Sequence, residues 1–500
     1  MSRTRSLSSV RYLIASIVFS LSLAACGGGS EGDTTNLTGT GGSGNAGVPS
    51  SGTGTTTTPP ATDTTPPPAT DTTPPPATDT TPPPATDATP PSGEVVSKSW
   101  NTAHPLDSSG GVGVVTVDGR QVAFNGNGTA LAMWNERERI YTSRFSVAGG
   151  WESAQLLPTD GLSGAIPTQI RLAAGIRGNA IAVWGEANNL YASRYTPEGG
   201  WGPVQLLEAG IASNFKVELA HDDNGNAIAV WMVYDTANLN DISAYARSYT
   251  PSGGWGPKQL IADNISNTYS FTPPDIAFDG SGNAIAIWPV RGGIYARRYT
   301  QTGGWGDPQP VIQSGFRGDN PQIAVDRNGN AIAVWERSDN IYASRFTVSS
   351  GWEATEQRIN ADDSAESSWA VFPKIGFDVN GNAIAVWAQR GRSSATVNAN
   401  RYSPNGGWGT AQRIGSALPN IWPDVAVSAN GEAMAIWRTD PILAARYTPA
   451  NGWGEPQIAG TGDGNFLENP QIAMDGNGNA IAMWAIRLST TVRLYVNRFD

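Results

Sequence analysis

Cysteine is nearly absent from this 500-residue chain: there is one, Cys26. That excludes an internal disulfide and any metal site built on several thiolates. Histidine is almost as scarce, with only His104 and His221, so no Ser-His-Asp triad and no histidine metal cluster stands out. Nothing in the sequence calls for a cofactor. Charged residues make up only 15%, and the net charge of −11 argues against nucleic acid or an anionic lipid surface as a partner. Long apolar runs are missing too. The one apolar stretch near the start, residues 12–23, is too short to span a bilayer.

What the sequence has instead is repetition. A pattern close to Gly-Asn-Ala-Ile-Ala-Val-Trp closes on Trp134, Trp184, Trp231, Trp288, Trp335, Trp387, Trp437 and Trp484. A second pattern, mostly Gly-Gly-Trp-Gly, carries Trp100, Trp151, Trp201, Trp255, Trp305, Trp352, Trp408 and Trp453. Together they hold sixteen of the eighteen tryptophans. A fixed period of about fifty residues means an array of similar supersecondary units.

The copy at 321–359 predicts four short strands. Residues 321–326 alternate as a strand. Arg327-Asn328-Gly329-Asn330 reads as a tight turn in which Asn and Gly both tolerate positive φ. Residues 331–335 are apolar on both faces, which predicts a strand buried on both sides. Residues 341–347 and 352–359 are the third and fourth strands. Four antiparallel strands form one propeller blade, and a ring of blades covers the apolar faces that a lone blade exposes. The last copy stops after its third strand, at Tyr495-Val-Asn-Arg-Phe499. Residues 99–106 look like a lone fourth strand, matching 150–157. The expectation is an all-β fold: one eight-bladed β-propeller at 98–500, closed by an N-terminal strand that completes the last blade. A solenoid is the alternative, but it needs polar caps rather than complementary half-blades.

The N-terminal region predicts address rather than fold. Arg3, Arg5 and Arg11 precede the apolar stretch, which suits a secretory signal of residues 1–25. Leu23-Ala24-Ala25-Cys26 resembles a bacterial lipobox, which implies lipidation of Cys26. The plainer alternative is an ordinary signal peptide with an incidental cysteine. Gly27 follows in place of aspartate, and by resemblance to enterobacterial lipoprotein sorting this implies the outer membrane. Residues 26–97 are rich in Gly, Ser, Thr and Pro, with Ala-Thr-Asp-Thr-Thr-Pro-Pro-Pro repeated from 61 to 84. Such a segment has no core-forming pattern and is expected to remain a disordered stalk. At ~3.1 Å per residue it reaches at most roughly 200 Å.

The turn Asp-x-x-Gly-Asn begins at Asp222, Asp279, Asp326, Asp378 and Asp475; Asn125, Gly175 and Ser428 replace the aspartate elsewhere. With the later tryptophan it resembles the Asp-box of sialidase-like propellers. Ala324-Val-Asp326 through Trp335 also resembles the repeat of quinoprotein-type eight-bladed propellers, a group that includes an outer-membrane lipoprotein scaffold. Both likenesses cover the turn motif alone. They imply the fold, with glycoside hydrolysis or lysis and envelope scaffolding as the activities of such relatives. The turns lack the second carboxylate and the distal glutamate of a calcium loop, so no metal is expected.

Most conspicuous residues belong to the repeat. His104 falls where other copies carry Gln155, Gln205, Gln259 and Gln412, and His221 falls in the slot of Val325. Arg144, Arg194, Arg298, Arg345, Arg401, Arg446 and Arg498 share one slot, which predicts an inter-blade salt bridge or stacking on a tryptophan. Antiparallel order puts the loops after the second and fourth strands on one face, and these vary between copies. The segments leading into first strands there carry aromatics. Phe215 is one. Tyr269, Phe271, Phe316, Trp369, Phe372, Trp422 and Phe466 are the ligand-binding candidates. Each either anchors its own loop or contributes to an aromatic platform for a sugar ring or a partner's side chains. No catalytic residue can be named. The reading is a monomeric, lipid-anchored module of the cell surface, rather than an enzyme, that binds a glycan or a protein, touching the bilayer only through Cys26. A propeller-type glycoside hydrolase or lyase, and a periplasm-facing envelope scaffold, are the alternatives.

Overall fold

The computed structural model describes residues 98–106, 120–124, 128–159, 164–211, 215–234, 242–263, 265, 272–290, 292–312, 315, 318–361, 368–391, 394–418, 421–462, 466–488 and 491–500. Cys26, the expected signal segment and the expected stalk lie outside these residues. The described residues form eight antiparallel sheets, the blades of an eight-bladed propeller. Blades 1 to 7 span 120–156, 168–208, 216–262, 275–312, 319–358, 369–417 and 424–460. Blade 8 spans 466–499 and takes its outer strand from His104–Pro105. His104 pairs with Val496 and Pro105 with Tyr495, and Trp100 bridges to Phe499. The expected ring closure is therefore present.

The first strand of each blade is innermost. Arg120–Phe124 touches Thr168–Ala174 on one side and Phe466–Met474 on the other, and the contacts between first strands run unbroken round the ring. The second strands are the buried middle, and all five residues from Ala331 to Trp335 are buried. The core lies between blades rather than within them. Ile285, Ile287 and Ile294 of blade 4 meet Ala331, Ala333 and Trp335 of blade 5. Met483, Leu494 and Val496 of blade 8 meet Ala132 and Trp134 of blade 1. Alanine on one face allows close approach, and the tryptophan supplies much of the apolar area removed from water.

The expectations for the turn and for the fourth strand need correction. The first turn is not a two-residue Asn-Gly turn. Asp326 N–H donates to the Asn330 carbonyl at 2.7 Å and Gly329 N–H to the Asp326 carbonyl at 3.1 Å. Positive φ occurs at Gly329 (+82°) and not at Asn328. This is a three-residue loop, a turn closed by a left-handed glycine. Asp326 fastens it: Oδ1 accepts from Asn328 N–H (2.8 Å) and Asn330 N–H (2.9 Å), and Oδ2 from the Asn330 amide (2.9 Å). The other correction concerns the fourth strand, which is two pieces. In blade 2, Gly200–Trp201 and Gln205–Glu208 both pair with the third strand and flank a bulge at Gly202 and Pro203. A proline there gives up no ladder hydrogen bond.

The arginine slot also behaves differently from the expected tryptophan stacking. Arg345 lies over the Tyr402 ring (5.8 Å), Arg446 over Phe499 (5.5 Å) and Arg498 over Phe145 (5.0 Å). Each reaches a third-strand Tyr or Phe of the next blade, so the slot ties blades together by cation–π contact. The recorded ion pairs of this slot stay within a blade, as in Arg144 with Glu152 at 3.1 Å and Arg446 with Glu432 at 2.6 Å.

Candidate functional site

On the face with the variable loops, several first strands begin irregularly. Register slips by a bulge between Thr168 and Arg171, Asp319 and Gln322, Val371 and Lys374, and Glu468 and Gln471. Three bulged residues have positive φ: Gln169 (+53°), Asn320 (+47°) and Phe372 (+57°). Asn tolerates this region, whereas Phe at such an angle is strained and needs holding. Phe372 N–H donates to Glu336 Oε1 at 2.5 Å, and the same oxygen accepts from the Asn320 amide at 2.6 Å. Glu336 thus stitches blade 5 to blade 6. Burial pushes its pKa up, against the lowering effect of the Phe372 and Asn320 hydrogen bonds.

The strained bulge sets out an aromatic patch. The Phe372 ring lies 5.3 Å from the Trp422 ring at 37°, and Trp422 is 42% exposed. The Arg390 guanidinium sits over Phe372 at 4.8 Å and donates through Nη2 to the Ile421 carbonyl at 3.2 Å. Burial lowers its pKa. Trp369, exposed, is the strand partner of Arg390. One blade further on, Arg438 lies 3.9 Å over Phe466, which is also exposed. Beside it Glu468 accepts from Arg487 Nε at 2.8 Å. The structure therefore brings Phe372 and Trp422 together beside Arg390, with Trp369 opposite Arg390 in the strand ladder and Phe466 on Arg438 in the neighbouring position. Phe215 departs from them: it is buried in the core between blades 2 and 3, where Gly185 makes room for its ring. Tyr269, Phe271 and Phe316 lie outside the described residues.

Sequence reasoning named the aromatics but missed Arg390, Arg438 and Glu336. The signal was available, because all three fall within three residues of a repeat tryptophan, at the end of a second strand. It also missed an inner ring. Gln121, Arg171, Glu218, Asp275, Gln322, Lys374, Asp424 and Gln471 occupy one register, each four residues before the turn position. Several reach to the next blade. Arg171 pairs with Glu218 through two bonds of 2.8 Å, and Lys374 donates to Gln322 at 2.7 Å. Asp275 accepts from the Ile323 N–H at 2.8 Å and Asp424 from the Ile472 N–H at 3.0 Å. The aspartates cover free edge N–H groups of inner strands. Burial, then the nearby Glu218 charge, raises the Asp275 pKa to about 7. Among the described residues, no group of three or more His, Cys, Asp or Glu is placed to hold a metal ion.

No family model matches the sequence, and no curated protein matches it. Solved structures of similar shape include an ulvan lyase of polysaccharide lyase family PL25, bound to -[GlcA(1-4)Rha3S]-. It has 9% identity and a TM-score of 0.44, with 80% of this chain and 95% of that chain covered. Puromycin hydrolase has 12% identity and a TM-score of 0.43, covering 77% of this chain and 60% of the hydrolase. The leech intramolecular trans-sialidase complexed with 2,7-anhydro-Neu5Ac has 8% identity and a TM-score of 0.36, covering 80% and 96%. Likeness at this level says nothing of activity.

Proposed function

We propose that the protein is a lipid-anchored, stalked propeller of the outer-membrane surface that binds a glycan through the aromatic patch of blades 6 to 8. The observation that carries this reading is the Phe372–Trp422 pair, exposed at Trp422 and backed by Arg390. An exposed aromatic pair leaves apolar area in water, which the apolar face of a sugar ring covers. Arg390 and Arg438 add donors for hydroxyl or carboxylate oxygens at the rim. Anchoring through Cys26 and a long Pro-rich stalk suit a module displayed away from its membrane.

The test is a glycan microarray probed with the full chain, with Trp422→Ala and Trp369→Ala in parallel. The expected result is binding to a restricted set of glycans, lost in both variants while the melting temperature holds. Absence of any bound glycan, or binding that both variants retain, overturns the reading. Protease shaving of intact cells checks the display: digestion of the propeller supports the surface, and protection favours a periplasm-facing scaffold.

A second reading, glycan hydrolysis, has one observation in its favour. Asp319 and Glu336 are strand partners and both line a cleft of about 290 Å³. Burial raises the Glu336 pKa, as a general acid requires. Glycan turnover abolished by Glu336→Gln, with binding kept, would select this reading; binding without turnover in the native protein rejects it.

A further inference from the structure

The third-strand arginine is present in seven blades, and in blade 3 the slot holds Ser248. The register leaves no doubt about the slot. Ser248 is the strand partner of Ile228, as Arg345 is of Ile332 and Arg498 of Ile481. The adjacent Arg247 does not substitute, because successive residues of a strand point to opposite faces. Arg297, in the slot of Arg247, reaches back to the Leu260 carbonyl of blade 3 at 3.1 Å.

Between blades 3 and 4, on the face of the short turns, lies a cavity of about 410 Å³. Ser248, Tyr299, Phe278, Asn226, Gly282 and Gln301 are among its lining residues. Tyr299 is the ring that an arginine at 248 would cover, just as Arg345 covers Tyr402. It is half-buried, as is Tyr447, whereas the counterparts Phe145, Tyr195, Tyr249, Phe346, Tyr402 and Phe499 are buried.

A buried turn carboxylate stands behind the aromatic wall. In blade 4, Arg298 Nη2 lies 3.9 Å from the position a Cβ would take on Gly329, and Asp279 Oδ2 lies 3.1 Å from the same point. The arginine and the turn aspartate of its own blade thus approach the same point. In blade 3 the matching carboxylate is Asp222, whose Oδ2 lies 3.0 Å from the corresponding point on Gly282, and Ser248 brings no cation to it. A second departure from the repeat falls on the same cavity. Gln301 stands where Pro251, Pro404 and Pro449 pack on their turn glycines, and it brings an amide to that wall.

We infer that this cavity is a binding site for a guanidinium group, held over the Tyr299 ring with Asp222 behind the Gly282 wall. A planar cation fits a ring face with a carboxylate nearby, and the fold lays its own arginine over the matching ring in blades 5, 7 and 8. Two sources share the chemistry: a small guanidinium compound, or an arginine side chain presented by a polypeptide. The site is separate from the aromatic patch and does not depend on glycan binding.

The experiment titrates the full chain with methylguanidinium and with N-acetyl-arginine amide, using calorimetry and saturation-transfer NMR. N-acetyl-citrulline amide, the same shape without charge, is the control. Saturable binding of the two cations is expected, with the citrulline compound weaker by about tenfold or more. Ser248→Arg should fill the cavity with the chain's own side chain, abolish binding and fold at least as stably as the native chain. Tyr299→Leu should weaken binding by about tenfold, and it carries the test if Ser248→Arg fails to fold. Equal affinity for the two cations marks a small compound as the ligand; tighter binding of the amide marks a presented side chain. No saturable binding, equal binding of citrulline, or binding retained in Ser248→Arg and Tyr299→Leu overturns the proposal.

Discussion

The Trp100 and Phe499 rings lie 5.5 Å apart at 58°, almost the same geometry as Tyr195 and Trp201 within blade 2, at 5.4 Å and 59°. One pair joins the two ends of the propeller, and the other spans a five-residue hairpin. The closing strand therefore reproduces the blade-internal contact in full, and the ring has no structural seam at blade 8. Trp100→Ala should cost about 2–4 kcal/mol of stability, since it removes a large aromatic from a packed pair and loosens ring closure. Trp201→Ala, matched in geometry but not in closure, is the comparison in denaturant unfolding. A Trp100→Ala protein as stable as the native one would show that the N-terminal strand is dispensable.

Consensus reasoning fails at Gly175, and the structure says why. Five copies have aspartate at this turn position, so Gly175→Asp looks stabilising. Yet a Cβ on Gly175 would lie 2.6 Å from His221 Cε1 of the next blade. His221, in a slot that holds valine in blade 5, fills the space that an aspartate would need. Gly175→Asp should therefore destabilise by about 1–3 kcal/mol through overpacking, and Gly175→Asp with His221→Val should recover most of it. Thermal unfolding of the four proteins of this cycle decides. Additive effects would mean that the two positions are not coupled.

Where the turn aspartate is present, it holds three donors within one loop. Asp326→Ala strands the Asn328 and Asn330 N–H groups and the Asn330 amide. The expected cost is about 2 kcal/mol. Asp326→Asn keeps one acceptor and should cost less. Equal losses for Ala and Asn, measured by urea unfolding, would assign the effect to charge rather than to hydrogen bonding.

The repeat made the fold legible, because a residue's slot determines its strand, face and neighbour. Ala333 and Trp335 could be placed from sequence since every blade uses the same pair of faces. Function is harder to read, because it resides in departures from the pattern, and their consequences are spatial. Phe215 and Trp422 look alike in sequence, both aromatic and both leading into a first strand. Gly185 opens a buried site for one, while the other is left exposed against Phe372. The inner ring escaped notice because its eight residues share a position and no chemistry. Ser248 could be seen as an exception, but its meaning depends on where Arg345 and Arg498 put their guanidinium groups.

The inner ring also makes a prediction about pH. The Asp275 carboxyl is raised from 3.8 to about 7, chiefly by burial and then by the Glu218 charge; Lys374 and the Ile323 and Ile276 N–H groups oppose the rise. A folded pKa above the unfolded value means that the native state binds the proton more tightly. The contribution to stability is therefore complete below pH 3.8 and is lost as the pH rises to about 7. Glu336 and Asp424, also raised by burial, act in the same direction. His221 acts in the opposite direction: burial lowers its pKa below 6.5, so its contribution is complete above 6.5 and is lost as the pH falls. Asp275→Asn should flatten the loss of stability between pH 4 and 7, and His221→Val should flatten the loss below pH 6.5. Unfolding free energies across this range separate the two. If Asp275→Asn leaves the upper slope unchanged, the carboxyl is ionised throughout and the Lys374 charge outweighs burial.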